Sequence, residues 1–232
     1  RDGQHALAYR AASSHHLTEG SSFADLEWLS GYLALRYLKK PDVALTHFRR
    51  FRKAVVTPIS LGRAGYWEGR AHEALGDAEA AEIAYAFGAE HQTSVYGLLA
   101  AVRLGFPLDP TLTGDVAAPA LGPNHPLRAS TVFHAALALQ EAGERSLSER
   151  FLVHLAETQD VTTLAQMGDL ALALDEPHIA VMIAKQAAKM GYVIPRAYFP
   201  LHPMVERDLP VETALALAIA RRESEFVPVV VS

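Results

Sequence analysis

The chain of 232 residues has no cysteine. That excludes disulfides, thiolate metal sites and cysteine nucleophiles, and it leaves the compartment open. Aromatic residues make up only 8%, a balance that favours closely packed helices over a β-sandwich. Long apolar runs are also missing: the longest with helical character, Ala214 to Ala220, is far too short to span a bilayer. No signal peptide is visible. Basic residues form no long run and the net charge is −5, which argues against nucleic acid as the main ligand. The sequence opens at Arg1 without a methionine and stops in Val229-Val230-Val231-Ser232, so it reads as a piece of a longer protein.

Half of the residues are hydrophobic and 20% are charged, enough to bury a sizeable core. The pattern is helical almost throughout. From Phe23, apolar residues recur at Leu26, Leu29, Leu33 and Tyr37, the three-and-four spacing of one helix face. Lys40-Pro41 ends that segment, and Pro41 suits the first turn of a following helix through Val43, Ala44, Phe48 and Phe51. A second pair runs from Gly65 to Leu75, through a Gly76-Asp77 turn, and from Ala80 to Phe87.

The pairs repeat. Ala44 and Phe48 recur as Ala81 and Tyr85 at an offset of 37, and Trp28 recurs as Trp67 at an offset of 39. The turn reappears as Gly143-Glu144 and, more loosely, as Asp175-Glu176, with Ala180 and Ala184 behind it. Periods near the mid-thirties, with drifting spacing and a small residue where two helices cross, predict an irregular superhelix of stacked tetratricopeptide-like helix pairs. Five of the 13 prolines fall between Gly105 and Pro126, where no helix is expected. Four more lie from Pro195 to Pro210, the expected domain boundary: an α-superhelical domain over 1–207 and a second, shorter piece over 208–232.

The last predicted helix carries the most chemistry. Asp208 is its expected N-cap, Pro210 suits its first turn and Glu212 complements its positive end. Residues three, four and seven before Glu223 are Ala220, Ile219 and Ala216, which predicts Glu223 on the apolar, core-facing stripe. Arg222 and Arg221 stand at the same spacings before Glu225, which predicts that Glu225 is solvated and charge-paired. Burial and the negative end of the helix dipole both disfavour an ionised carboxylate at Glu223. A carboxylic acid that keeps its proton is what general-acid cleavage of a glycosidic bond requires. A partner acid is not visible. Glu225 lies about 200° around the helix, and Glu212 about 16 Å along its axis. Read only as pattern, Glu223 is first a helix-end residue turned to water and only second a buried acid.

Here the sequence resembles a family. Ile219-Ala-Arg-Arg-Glu-Ser-Glu-Phe226 is similar to the start of the catalytic domain of soluble lytic murein transglycosylases, the goose-lysozyme-like family 23 fold. In that family an Arg-x-Glu-Ser-x-Phe/Trp motif ends the first catalytic helix. Two upstream stretches also resemble it, Tyr66-Trp-Glu-Gly-Arg-Ala71 and Tyr96-Gly-Leu-Leu-Ala100. The resemblance spans most of the chain from about Phe23.

It implies that Glu223 is the catalytic acid/base and Ser224 a substrate-binding residue. It implies non-hydrolytic cleavage of peptidoglycan at the MurNAc-GlcNAc bond in a bacterial periplasm. Glu223 would protonate the glycosidic oxygen and then act as base on the muramic acid 6-hydroxyl, closing a 1,6-anhydro ring with one carboxylate and no water. No cofactor is implied. Expected partners are glycan strands, with cell-wall proteins reached through the superhelix. The chain departs from the family at Val227-Pro228, where an Asp/Asn-Pro step is usual. It also lacks the later Gly-Leu-Met-Gln segment. The fragment alone is therefore expected to be inactive.

Two other readings stand beside this one: a non-catalytic tetratricopeptide-like scaffold that binds proteins, and a true hydrolase that leaves reducing-end sugars. The eleven histidines show no His-x-x-x-His or His-Glu-x-x-His spacing, so no metal site is expected. Trp28, Trp67, Tyr66 and Tyr96 read as superhelix core before sugar platforms. Arg49-Arg50-Phe51-Arg52-Lys53 reads as one solvated helix face before a site for an anionic polymer. Gly62, Gly65 and Gly69 follow no predicted strand, so a phosphate loop is not supported.

Overall fold

The computed structural model describes residues 3–227. Among them are twelve α-helices and no strand. The chain divides into two compact units, Arg1–Asp109 and Pro110–Ser232. The division falls inside the first proline-rich stretch, where no α-helix forms between Leu104 and Thr131.

The first unit holds α1 (His5–Ser13), α2 (Gly20–Arg36), α3 (Pro41–Lys53), α4 (Pro58–Leu75), α5 (Ala78–Ala89) and α6 (Val95–Leu104). Each helix packs on the next, and α4 also packs on α6. Pro41 opens α3 as expected, and the left-handed Gly76 closes α4. Helix α4 begins earlier than its apolar pattern suggests, because Thr57 caps it by accepting from Ser60 N–H and Pro58 occupies its first turn.

The offset of 37 has a packing counterpart. A Cβ on Gly31 would sit 2.5 Å from the ring of Phe48, and one on Gly69 would sit 2.5 Å from the ring of Tyr85. In both pairs, α2/α3 and α4/α5, a glycine on the first helix makes room for an aromatic ring on the second. Ala44 and Ala81 lie one turn before those rings, at 0% and 4% exposure. Around them Trp28, Tyr32, Tyr66, Trp67 and Tyr96 pack ring against ring at centroid distances of 5.1–6.4 Å. These rings are core.

The basic run is largely solvated, with Arg49, Arg50 and Lys53 exposed, but two of its arginines are also tied to buried carboxylates. Arg50 donates to Glu27, and Arg52 donates to Glu68 at 3.1 Å while covering the Phe87 ring. Burial pushes the Glu68 carboxyl above the usual glutamate range, and the Arg52 guanidinium offsets this only in part. One carboxyl oxygen, Oε1, is buried without a hydrogen-bond partner. A carboxyl with a raised folded value contributes stability that is complete below the unfolded value and is lost as pH climbs through the folded one. Glu68→Gln is therefore expected to match the parent below about pH 4 and to gain on it steadily toward neutrality. Thermal melts across that range check this. Parallel curves at every pH would show that Glu68 does not ionise at a cost.

The second unit holds short 3-10 turns at Pro110–Thr113, Pro126–Ala129 and Pro203–Glu206. Its helices are α7 (Thr131–Glu141), α8 (Arg145–Ala156), α9 (Val161–Ala173), α10 (Pro177–Lys189), the single-turn α11 (Pro195–Tyr198) and α12 (Thr213–Glu223). Its core centres on Leu164, Met167, Ile179, Ala180, Ile183 and Ala184, the two alanines being fully buried. Helix α12 begins at Thr213 after Glu212, not at Asp208. Proline at 210 disfavours helical backbone at Leu209, so the chain turns into the helix only after Val211.

Candidate functional site

The candidate site is the C-terminal end of α12 and the three residues beyond it. The helix stops at Glu223, and Ser224 closes it, its backbone N–H and its hydroxyl both donating to the Ala220 carbonyl at 3.0 Å. Glu225 and Phe226 then adopt left-handed backbone, with φ of 51° and 61°. Two consecutive non-glycine residues in that region carry strain that persists only where surroundings over-determine it.

The surroundings here do so. Phe226 is buried and stacks on the His202 ring with an interplanar angle of 11°. His178 Nδ1 meets the Glu225 carbonyl at 2.9 Å, while its Nε2 meets the Glu149 carboxylate at 3.3 Å. Lys185 on α10 pairs with the Glu225 carboxylate. One turn back, Arg221 Nε donates to the Tyr198 carbonyl at 2.6 Å, and its guanidinium lies 4.3 Å from the Tyr198 ring centroid. The end of α12 is therefore tied to α8, α10, α11 and the segment around His202.

Glu225 is charge-paired as expected, though with a different partner, and Glu223 stands on the solvent side. Glu223 is exposed and has no hydrogen bond or ion pair among the described residues. Helix α12 contains no buried residue, and Leu215 and Ile219 are 52% and 54% exposed. Helical spacing places Glu223 above Ile219 and Ala220 as expected. The stripe is only partly covered, with Ala216 and Ala220 half-buried and Ile219 exposed, since spacing says which residues share a face and not what packs on it. Glu225, expected among its own helix's arginines, pairs with Lys185 instead. The helix ends at Glu223, so the three-and-four rule does not reach residue 225.

Cavities of about 520, 380 and 340 Å³ are lined by residues other than Glu223 and Ser224. No group of three or more His, Asp or Glu among the described residues is arranged to hold a metal ion. No helix among them is long and apolar enough to cross a membrane.

A second constellation escaped the sequence reading. Glu27 on α2, 2% exposed, accepts from His47 Nδ1 at 2.5 Å and His15 Nε2 at 3.3 Å. The His47 Nε2 meets the Tyr9 hydroxyl at 3.1 Å. Separations of 12 and 20 residues match no helical or motif spacing, so nothing in the sequence joins these groups. Comparison with known proteins gives no match of the chain to any family model, curated protein or solved structure.

Proposed function

We propose that this chain is part of a lytic transglycosylase of the bacterial cell wall, with Glu223 as its acid/base and Ser224 beside it on the substrate. In this reading residues 1–207 form a superhelix of tetratricopeptide-like pairs, and residues 208–232 begin a lysozyme-like catalytic domain in the periplasm. The observation that carries it is the end of α12. Glu223 is the last helical residue, unpaired and open to solvent, while Ser224, Glu225 and Phe226 behind it are tied down in a strained turn. A free carboxyl on an immobilised helix end is what a general acid needs on its protein side. The repeated glycine–aromatic crossings of α2/α3 and α4/α5 support the superhelix.

The chemistry follows from one carboxyl group. Protonated Glu223 gives its proton to the oxygen between MurNAc and GlcNAc, and the C1–O bond breaks to leave the 4-hydroxyl of GlcNAc. The resulting carboxylate takes the proton of the muramic acid 6-hydroxyl as that oxygen bonds to C1. Atoms balance without water. A proton held near neutrality requires that Glu223 be covered. The groove and the apolar cover over Leu215 and Ile219 are therefore supplied by further chain, and residues 1–232 alone are inactive.

Glu223→Gln in the extended protein is expected to abolish release of anhydro-muropeptides from murein, by about 10³-fold or more. Its far-UV circular dichroism and melting temperature stay unchanged, because the side chain is exposed and unpaired. Undiminished release from the folded variant would remove Glu223 from the mechanism. The scaffold reading is favoured by the sequential helix packing of the first unit. It predicts no turnover by either protein.

A further inference from the structure

Helices α2, α3 and α4 of the first unit and the turn at Lys39 border an open cleft of about 520 Å³, lined by Leu35, Arg36, Lys39, Pro41, Arg70 and Ala74. Three of the six residues are cations and none is acidic, in a chain whose net charge is −5. Arg36 and Lys39 are exposed and make no hydrogen bond or ion pair among the described residues. Arg70 donates to the Tyr66 hydroxyl at 3.1 Å and pairs with Glu73 at 3.1 Å. Glu73 is itself shared with Arg103 at 2.9 Å, so one carboxylate serves two guanidinium groups and the cleft keeps its positive charge.

The backbone at Lys39 adds a second observation. Its φ is 56°, the left-handed region, at the turn that closes α2. Four other helix ends place Gly76, Gly105, Gly143 and Gly191 in that region, where glycine carries no Cβ penalty, and the end of α9 places Asp175 there. At this end a lysine is held there, and its side chain borders the cleft.

We infer that this cleft binds a small organic anion carrying two or more carboxylates, its carbon chain resting on Leu35, Pro41 and Ala74. Planar guanidinium groups match carboxylates two bonds at a time. The volume falls in the range of small-molecule sites and leaves most of its space empty around a lone inorganic phosphate. Such an anion comes from either a free di- or tricarboxylate or the acidic end of a peptide.

Calorimetric titration of the full chain at low salt tests this with three probes: citrate, a peptide ending in Glu-Glu with a free C-terminus, and inorganic phosphate. Citrate or the peptide is expected to bind with a Kd below about 1 mM, weakening as salt rises. The tighter of the two identifies the source. Arg36→Gln and Lys39→Gly are each expected to weaken it about tenfold. Lys39→Gly also relieves the left-handed backbone, so its melting temperature rises while its affinity falls. Loss of binding in that variant therefore cannot come from unfolding. Absence of binding by both carboxylate probes up to about 10 mM overturns the inference. So does phosphate binding as tightly as they do, or a Kd unmoved in both variants.

Discussion

Glu27→Ala is expected to destabilise the first unit by about 1–3 kcal/mol for each buried donor left without its acceptor. Glu27 is 2% exposed, and three side chains converge on it. The His15 ring accepts from Leu17 N–H through Nδ1 at 3.0 Å, so its Nε2 carries the proton offered to Glu27. His47 offers Nδ1–H to Glu27 and its other nitrogen to Tyr9 on α1. Without the carboxylate, two buried imidazole donors lose their acceptor together. Helix α1 loses much of its hold, since Ala12 is its single buried residue. Arg50 is 57% exposed at the same site, so Arg50→Gln is expected to cost under about 1 kcal/mol. Both tryptophans, Trp28 and Trp67, lie in this unit, and tryptophan fluorescence during denaturant unfolding therefore reports on it alone. Equal midpoints for the two variants would mean that Glu27 is not the hub.

Gly65→Ala is expected to cost about 3 kcal/mol, near the upper end for overpacking. An added Cβ would stand 2.5 Å from Gly88 N, 2.6 Å from Gly88 Cα and 2.8 Å from the Ala84 carbonyl. Each obstacle is backbone, so α4 and α5 must move apart along their whole crossing, and interiors packed to crystal density resist that. At Gly69 the obstacle is the Tyr85 ring, a side chain that is able to tilt, and Gly69→Ala should cost less. Gly122→Ala meets nothing within 4 Å and should be near neutral. The order Gly65, Gly69, Gly122 is read from melting temperatures. A neutral Gly65→Ala would contradict the close crossing of α4 and α5.

Much of the fold is legible in the sequence because its signals are local. Three-and-four spacing, Pro41 at a helix start and Gly76 at a helix end each act within one turn, and the structure keeps all three. The repeat is legible because Ala44/Phe48 and Ala81/Tyr85 perform the same packing task. What escaped is non-local. Glu27, His15 and His47 meet only after three helices have assembled. Whether Glu223 is covered or turned to water is open in the sequence for the same reason, since a stripe of Ala216, Ile219 and Ala220 does not say what lies over it; the structure turns it to water. The start of α12 was misplaced because Asp208 and Pro210 suit a cap in isolation, while Pro210 also pushes its own predecessor out of helical backbone. The strained pair Glu225 and Phe226 leaves no mark in composition, as neither residue favours left-handed backbone.

The central claim, that Glu223 belongs to a non-hydrolytic glycan-cleaving centre, is tested most directly by the mass of its products. Purified murein is digested with the extended protein, and the released muropeptides are weighed. The account predicts 1,6-anhydromuramic ends, with no water added to either product, and none of these after Glu223→Gln. Reducing-end sugars bearing one added water, or intact murein, would contradict it.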